Sequence, residues 1–311
     1  MKTQFVQNGN GCANKAFPDI GEGELAEVDS SKCAESGWSL TNLTPRPFIK
    51  WAGGKRQLLQ ILNNFAPQNH GRYFEPFLGG GALFFSRRPA HATVSDANPD
   101  LINCYMVVRD HLGDLIDSLE RHKNEEKYFY SIRAKNPSEL SDVARASRFI
   151  YLNKTCFNGL YRENSDGKFN TPFGRYANPT IIDRVNLQAV NNYLANADVK
   201  IICRDYHEVV NDAKAGDFIY FDPPYNPLTT TASFTKYFRN DFGEWQQREL
   251  ASLFRELTRD GIFSILSNSN TRLIHELYQG FDIRPVEASR SINCKGGQRG
   301  RQANEVLIKN F

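Results

Sequence analysis

The sequence predicts an α/β fold built on a doubly wound sheet, and three observations support this prediction. Short apolar runs typical of strands alternate with segments of helical periodicity in the first part of the chain. A glycine turn at 79–81 lies between one such strand and the next helix. The apolar run at 218–221 stops at two consecutive prolines, as a buried parallel strand does where the chain leaves the sheet. Strands, helices and turns in this order are typical of doubly wound folds.

The elements follow in order from spacing and turn residues. Apolar residues at 58, 59, 62 and 65 predict a helix from residue 55 that ends at Pro67. Next come a strand at 73–75, the glycine turn, a helix at 82–88, a strand at 91–95 and a long helix from Pro99 to about His122. Further strands are predicted at 200–203, 217–221, 261–266, 281–286 and 305–308, with an amphipathic helix at 243–259.

The periodicity indicates three regions. Residues 1–45 are polar, without sustained period, and we expect a flexible extension. Residues 46–122 and 195–311 form the α/β domain, whereas 123–194 form an inserted segment that is mainly helical and rich in loops. Residues 121–184 carry twelve Lys and Arg against seven acidic residues, and the last 28 residues carry six against two. Such basic regions suit a polyanion, although a solvated surface gives the same pattern.

The composition of the 311 residues narrows the class of protein. No stretch approaches the roughly 20 apolar residues of a membrane span, and the N-terminus has no apolar signal region. The six cysteines include no C-x-x-C pair, which argues against a zinc site and against a disulfide framework. We therefore expect a cytoplasmic protein without a metal and without a membrane.

The strongest candidate site is Asp222-Pro223-Pro224-Tyr225, which directly follows the buried strand. Ligands of open α/β sheets bind at that edge. One carboxylate, free backbone carbonyls and one ring suit a planar amino group, such as the exocyclic amine of a nucleobase. For Tyr225 a packed core aromatic is the alternative interpretation.

Two further features indicate a nucleoside cofactor. The glycine turn lets the backbone approach a ligand, and Asp96, at the end of the following strand, can bind a ribose hydroxyl pair. A dinucleotide dehydrogenase would look similar, and a tight turn with a capping Asp is the structural alternative. Residues 51–55 (WAGGK) lack the Ser or Thr of a phosphate loop, because Arg56 stands there. Trp51 and Lys55 could instead hold a carboxylate and a methionyl chain, or simply cap a helix.

Taken together, these segments resemble the Dam-type DNA adenine-N6 methyltransferases (D12 class, alpha-group). The matching segments are 50–55 (KWAGGK), 74–81 (FEPFLGGG), 95–98 (SDAN), 151–162 (YLNKTCFNGLYR), 170–176 (NTPFGRY) and 222–225 (DPPY). The resemblance covers residues 46–309. It implies the Rossmann-like fold of S-adenosylmethionine-dependent methyltransferases, with 123–194 as a DNA-recognition domain inserted into the catalytic domain. It also implies S-adenosyl-L-methionine as cofactor and S-adenosyl-L-homocysteine as product. The expected partner is double-stranded DNA, which would place the protein at the nucleoid. The expected state is a monomer, or a weak dimer on DNA.

The resemblance also implies roles for individual residues. The catalytic residues would be Asp222, Pro223 and Tyr225. The cofactor would be bound by Trp51, Ala52, Lys55, Glu75, Pro76, Phe77, Gly79, Gly81, Asp96, Asp205, Tyr206 and Asp222. For Asp205 a simple turn role is the alternative. DNA would be bound by Lys50, Asn158, Leu160, Arg162, Pro172, Arg175 and Tyr176, and the basic run at 295–301 could grip phosphates.

The chemistry follows from these residues. The N6 lone pair of adenine is delocalised, so an acceptor pair formed by Asp222 and the Pro223 carbonyl would orient the amine and stabilise its developing charge. Tyr225 offers a stacking face for a base that leaves the duplex. We expect GATC as the target, although 154–156 and Tyr161 depart from the family pattern. A restriction-linked methylase with another target, a catalytically silent DNA-binding module and a methyltransferase of RNA or protein amino groups are the alternatives.

Overall fold

The structure is a computed structural model that describes residues 43–227, 242–287 and 305–311. Residues 1–42 of the predicted extension and the basic run at 295–301 lie outside the described residues. The predictions made for them therefore stay predictions.

A mixed sheet of seven strands forms the centre of the fold. The strands are β1 (Tyr73–Glu75), β2 (His91–Ser95), β3 (Asp198–Ile202), β4 (Phe218–Phe221), β5 (Phe263–Ser269), β6 (Asp282–Val286) and β7 (Glu305–Lys309). Their order is β3-β2-β1-β4-β5-β7-β6. The pairs from β3 to β5 are parallel, whereas β7 runs antiparallel to both of its neighbours.

Ten α-helices accompany the sheet in the part of the chain that the structure describes. They are α1 (Leu59–Phe65), α2 (Ala82–Arg87), α3 (Pro99–Asp110), α4 (Leu112–Glu120), α5 (Glu126–Ala134), α6 (Asp142–Thr155), α7 (Arg184–Asn196), α8 (Tyr206–Val210), α9 (Glu244–Arg259) and α10 (Arg272–Leu277). Short 3-10 turns lie at Lys55–Leu58, Pro137–Glu139 and Phe157–Gly159. The segment between α4 and α7 holds α5, α6 and two of the short 3-10 turns, which loops connect.

Alternate residues of the central strands pack into two separate cores, because successive side chains of a strand point to opposite faces. Phe218 and Tyr220 of β4 join the core on the side of α1, α2, α3 and α7. Ile219 and Phe221 join the core on the side of α8, α9 and α10. Helices therefore cover both faces of the sheet, and the predicted doubly wound α/β fold is confirmed.

Two differences from the sequence-based prediction concern the helices. The long helix expected from Pro99 to His122 is two helices, since His111 leaves the helical region with φ −137° and ψ 40°. Apolar spacing continues on both sides of this break, so spacing alone does not reveal it. The short helices α8 and α10 were not predicted, because five or six residues carry too few apolar positions for a periodic signal.

Helix α6 connects the inserted segment to the sheet domain. Its Phe149 and Ile150 belong to the core on the α3 side of the sheet. Its Tyr151 and Leu152 belong to a smaller core with Phe129 of α5. Because α6 contributes side chains to both cores, these cores do not define where the insert begins and ends. The boundaries at 123 and 194 therefore stay a prediction.

Candidate active site and nucleic-acid surface

Strand β1 lies between β2 and β4, so the order of the strands reverses at this point. The carboxyl ends of β1 and β4 therefore open into one crevice, where ligands of such sheets bind. The glycine turn follows β1 and the tetrapeptide follows β4. Their common position at the reversal makes this crevice the candidate active site.

The glycine turn after β1 is held by side chains from neighbouring elements. The Oδ2 atom of Asp96 accepts a hydrogen bond from the Gly79 amide at 2.9 Å, and the Tyr105 hydroxyl donates to the Gly79 carbonyl at 3.0 Å. Gly79 has a φ of +48°, and a Cβ atom there would lie 2.6 Å from Cδ1 of Trp51. Only glycine therefore lets the turn and the indole ring approach this closely.

Asp96, predicted to bind a ribose, also stabilises the turn itself. Its Oδ1 atom accepts a hydrogen bond from the Asn98 amide at 3.0 Å. Burial raises the pKa of Asp96, while the backbone amides around it act in the opposite direction. A carboxylate has about four acceptor sites, so these bonds leave room for a further donor. The turn-capping role is thus observed, and the cofactor role stays a prediction.

Lys55 is directed at the tetrapeptide. Its Nζ atom lies 2.9 Å from Oδ1 of Asp222 and donates to the Gly53 carbonyl at 2.6 Å. The same atom lies 4.9 Å from the centre of the Tyr225 ring. Burial raises the pKa of Asp222, and the charge of Lys55 opposes this effect. The residue predicted for the cofactor thus contacts the predicted catalytic carboxylate.

Buried amides fix the backbone of the tetrapeptide. The Gln247 Nε2 atom donates to the Pro224 carbonyl at 2.9 Å, and Asn268 in turn donates to Oε1 of Gln247 at 2.9 Å. The Asn268 Oδ1 atom accepts a bond from the Asn226 amide at 3.0 Å. Among the described residues none donates to the Pro223 carbonyl. Of two successive proline carbonyls, that of Pro224 accepts a bond, whereas that of Pro223 has no donor within the described ranges.

Tyr225 is anchored through its hydroxyl group. This group donates to Oε2 of Glu305, the first residue of β7, at 3.1 Å. Sequence reasoning missed Glu305, Gln247 and Asn268, because they lie far from the tetrapeptide along the chain and carry no motif.

Glu75 lies at the end of β1 and is buried, with 2% of its surface exposed. Burial raises the pKa of Glu75 to about 8, while the hydrogen bond from Tyr73 lowers it and the negative charge of Asp222 raises it. The Tyr73 hydroxyl donates to Oε2 of Glu75 at 2.5 Å. At neutral pH Glu75 is therefore largely protonated, in contrast to a surface glutamate.

An aromatic group forms another wall of the predicted cofactor site. Phe77 stacks on Tyr206 with ring centres 5.2 Å apart, and Phe242 meets Phe77 edge-on at 5.7 Å. Asp205 caps α8 by accepting a hydrogen bond from the His207 amide at 2.9 Å, which is the predicted alternative role. Pro76 is buried, and Ala52 is exposed.

Asn153 of α6 ties the segment before Lys55 to the predicted DNA-contacting loops. Its Oδ1 atom accepts from the Lys50 amide at 2.8 Å, and its Nδ2 atom donates to the carbonyls of Lys50 at 2.8 Å and Gly159 at 3.1 Å. This buried amide was not predicted as a site residue, and it holds two predicted DNA-binding segments together.

Three predicted DNA-binding residues meet at one point of the surface. The Lys50 Nζ atom lies 5.1 Å from the centre of the Tyr176 ring, and the Tyr176 hydroxyl accepts from the Asn158 amide at 2.8 Å. Asn158 has a φ of 55°, which asparagine tolerates better than most residues. Phe157 beside it exposes 47% of its surface and was missed in the sequence.

The remaining predicted DNA contacts flank this group. The Leu160 carbonyl accepts from the Thr171 hydroxyl at 2.7 Å, and the Pro172 carbonyl accepts from the Phe157 amide at 2.9 Å. These two bonds join the segments around residues 160 and 172.

The two predicted arginines are exposed but have local partners. Arg162 donates through Nε to Oδ1 of Asn170 at 2.8 Å. Arg175 adopts a φ of 53° and pairs with Glu126 at 3.1 Å, with 76% of its side chain exposed. An exposed ion pair of this kind contributes little, so Arg175 can exchange Glu126 for another anion.

No helix of the described ranges is both long and apolar enough to cross a bilayer. A sequence model of one family, described as D12 class N6 adenine-specific DNA methyltransferase, matches residues 51–292.

Three curated proteins are similar over most of the chain. The type II methyltransferase M1.LlaDCHI of Lactococcus lactis subsp. cremoris is 42% identical over 272 residues, which cover 86% of this chain and 95% of that protein. The type II methyltransferase M.MjaIII of Methanocaldococcus jannaschii is 42% identical over 288 residues, with coverages of 86% and 99%. The DNA adenine methylase of Haemophilus influenzae is 34% identical over 273 residues, with coverages of 86% and 94%.

Proposed function

Because the chain belongs to the D12 class of N6 adenine-specific DNA methyltransferases, we propose that Asp222 and the Pro223 carbonyl aim the adenine amine at a methyl donor. The observation that carries this proposal is the pair of acceptors at the strand reversal. Asp222 contacts Lys55 and Tyr225, its carboxylate has about four acceptor sites, and the Pro223 carbonyl is open among the described residues. Two acceptors side by side match the two N–H bonds of an exocyclic amine.

The acceptors act on the weakness of N6 as a nucleophile. Each hydrogen bond accepted from N6 returns electron density to the nitrogen and stabilises the positive charge that methyl transfer leaves there. Lys55 supports this role, since its charge opposes the effect of burial and favours the ionised form of Asp222. The proton leaves N6 after the transfer, when it is acidic, so that Asp222 does not need to be a strong base.

The crevice after β1 fits S-adenosylmethionine, which supplies an electrophilic methyl group on sulfur. The glycine turn gives backbone access where a Cβ atom would meet Trp51. Glu75 offers a buried carboxyl that can receive an ammonium group, and the buried Tyr206 hydroxyl has no hydrogen-bond partner in the described ranges. Trp51, Glu75, Asp96 and Tyr206 would hold the cofactor with the rest of the predicted set.

A target adenine must leave the duplex to reach the end of β4. The Tyr225 ring, anchored through Glu305, is suited to stack on the extruded base. Exposed Phe157, next to Asn158, is suited to fill the gap left in the stack, as apolar side chains do in other distorted duplexes. Lys50, Arg162 and Arg175 would bind the flanking bases and phosphates.

We propose GATC as the target, because segments 151–162 and 170–176 resemble those of Dam-type enzymes. A restriction-system methylase with a different target is the second candidate. It is favoured by the two relatives named type II methyltransferases at 42% identity.

Expression in a methylation-free host, followed by single-molecule sequencing of the host DNA, tests both parts of the proposal. We expect N6-methyladenine within GATC, and a strain expressing Asp222→Ala serves as the matched control. Methylation of adenine at another sequence would contradict GATC as the target, but it would agree with the proposed role of Asp222. The absence of methyladenine, or equal methylation by Asp222→Ala, would contradict the proposed mechanism.

A further inference from the structure

A cavity of about 220 Å³ lies among α4, α5 and α6, away from the tetrapeptide. Three cationic side chains line it, those of Arg121, Lys135 and Arg148. Ser118, Ser147 and Tyr128 also line it, and none of its ten lining residues is acidic. The described lining is therefore positive and rich in hydrogen-bond donors.

Arg148 forms the inner wall of this cavity and is only 6% exposed. Its Nε and Nη2 atoms donate to the carbonyls of Ile132 at 3.0 Å and Arg133 at 2.8 Å, at the end of α5. In the described ranges no carboxylate lies within ion-pair distance of it. Burial lowers the pKa of Arg148, and the more distant charge of Asp100 opposes this effect. The direct hydrogen-bond partners of this buried guanidinium are neutral carbonyls, so an anion in the cavity would add to the weak compensation from Asp100.

His122 holds the hydroxyl groups of the cavity in place. Its ring stacks on Tyr151 with centres 4.3 Å apart. Its Nδ1 and Nε2 atoms each form a 3.0 Å hydrogen bond, with the Tyr128 hydroxyl and the Ser147 hydroxyl respectively. Burial, followed by the charges of Lys135 and Arg121, lowers the pKa of His122 to about 4. The ring is therefore neutral at pH 7 and leaves the positive charge to the surrounding side chains.

Arg121 and Lys135 stand at the exposed rim of the cavity. Within the described part of the chain neither side chain has a hydrogen-bond or ion-pair partner. Nearby arginines differ in this respect, since Arg145 lies within 3.6 Å of Asp100 and Arg184 contacts Glu120. The two rim cations are thus free to bind an anion.

We propose that this cavity binds a phosphate-type oxyanion, supplied either by a free phosphomonoester or by the backbone of DNA. Arg148 neutralises the anion from the inside, and Arg121 and Lys135 close over it from the rim. The next residues lead to the proposed DNA surface, because the Asn124 side chain donates to the Tyr176 carbonyl at 2.8 Å.

Calorimetric titration of the full chain with inorganic phosphate tests the site. Sodium chloride at matched ionic strength measures the non-specific contribution. We expect saturable phosphate binding that falls by about tenfold or more in the double variant Arg121→Ala with Lys135→Ala, because charge-assisted hydrogen bonds are lost. Lys127→Ala, an exposed lysine of α5 that does not line the cavity, is the matched control. Binding no stronger than that of chloride, or equal binding by the double variant and the control, would overturn the proposal.

A second titration in the presence of saturating duplex DNA identifies the source of the anion. If the site holds a DNA phosphate, DNA displaces inorganic phosphate, and the double variant lowers the salt slope of DNA binding by about 1 to 2. If the site holds a free phosphomonoester, phosphate binds the DNA complex unchanged. Either result supports the oxyanion site. Neither depends on methyl transfer, so a failure here is distinct from a failure of the proposed function.

Discussion

Two carboxyl groups lie at the ends of β1 and β4, Glu75 buried and Asp222 partly buried, and their partners differ. Asp222 has the ammonium group of Lys55 at 2.9 Å, whereas the side chain bonded to Glu75 is the neutral hydroxyl of Tyr73 and Lys55 acts on Glu75 only from a distance. Burial raises the pKa of both groups. Only at Asp222 does a directly bonded cation oppose burial. At the residue scale, the cation Lys55 thus makes the two groups different. Asp222 is suited to accept hydrogen bonds as a carboxylate, whereas Glu75 is suited to release a proton.

Removing Lys55 should shift the pH dependence of methylation. We expect Lys55→Met to move the acidic limb of the pH–rate profile upward by about 1 to 3 pH units, because Asp222 loses its neighbouring cation. Single-turnover rates at saturating cofactor and DNA would measure the shift. Arg56→Met removes an exposed cation nearby and is the control. An unchanged limb in Lys55→Met would show that Lys55 does not tune the acceptor.

Cofactor affinity should depend on pH through Glu75. An ammonium group of the ligand favours the ionised carboxylate, so binding must expel the Glu75 proton. The dissociation constant of S-adenosylmethionine should therefore fall as the pH rises toward about 8. Calorimetry should show a flatter dependence for Glu75→Gln, with Glu256→Gln on the exposed side of α9 as the control. Parallel pH profiles for Glu75→Gln and wild type would exclude this role.

At the scale of elements, the glycine turn after β1 connects the strand, α2 and the Trp51 segment. Gly79 combines a positive φ with close contact to the indole ring. Neighbouring Gly80 has neither a positive φ nor such a close contact. A Cβ atom added there would lie 3.5 Å from Cβ of Trp51, which is an ordinary contact distance. The two glycines therefore form a matched pair for mutagenesis.

Gly79→Ala should lower the free energy of unfolding by about 1 to 2 kcal/mol from backbone strain alone, before the clash with Trp51 is included. It should also weaken cofactor binding, since the turn must shift. Denaturant unfolding and cofactor titration measure the two effects. Gly80→Ala should change both quantities less, and equal effects of the two substitutions would contradict the close-approach argument.

The elements also show how far sequence reasoning reaches. Strands β1 and β2 were predicted with their observed bounds, because glycine and proline turns border short apolar runs. The tetrapeptide was found because it is contiguous. Gln247 and Asn268, which reach the Pro224 backbone from α9 and β5, could not be predicted, since their role exists only after the strands pair. The contact of Lys55 with Asp222 was missed for the same reason.

At the scale of the whole molecule, the basic residues are in excess in the stretch 121–184, which includes Tyr176 and the two rim cations Arg121 and Lys135. Arg175 is the most direct probe of this surface, because its exposed partner Glu126 competes with any anion. Removing each partner of the pair should therefore have opposite effects on DNA binding.

Arg175→Ala should weaken duplex binding and lower the salt slope by about 0.9 if the side chain contacts one phosphate. If it reads guanine instead, the variant should relax the choice of site. Glu126→Gln should leave binding equal or stronger. Fluorescence anisotropy at several salt concentrations measures affinity and slope, and an Arg175→Ala variant that changes neither of them nor the site choice would remove Arg175 from the interface.

The strand order has a consequence for the synthesis of the protein. Arg72, beside β1, and Asp217, beside β4, are hydrogen-bonded although 145 residues separate them in sequence. The crevice therefore cannot form while the chain is still short on the ribosome, because pairing over such a span must wait for β4. The Tyr225 hydroxyl finds Glu305 later still, when β7 has emerged. Unfinished chains thus contain the glycine turn after β1 before the tetrapeptide after β4 is in place, and they cannot methylate the genome.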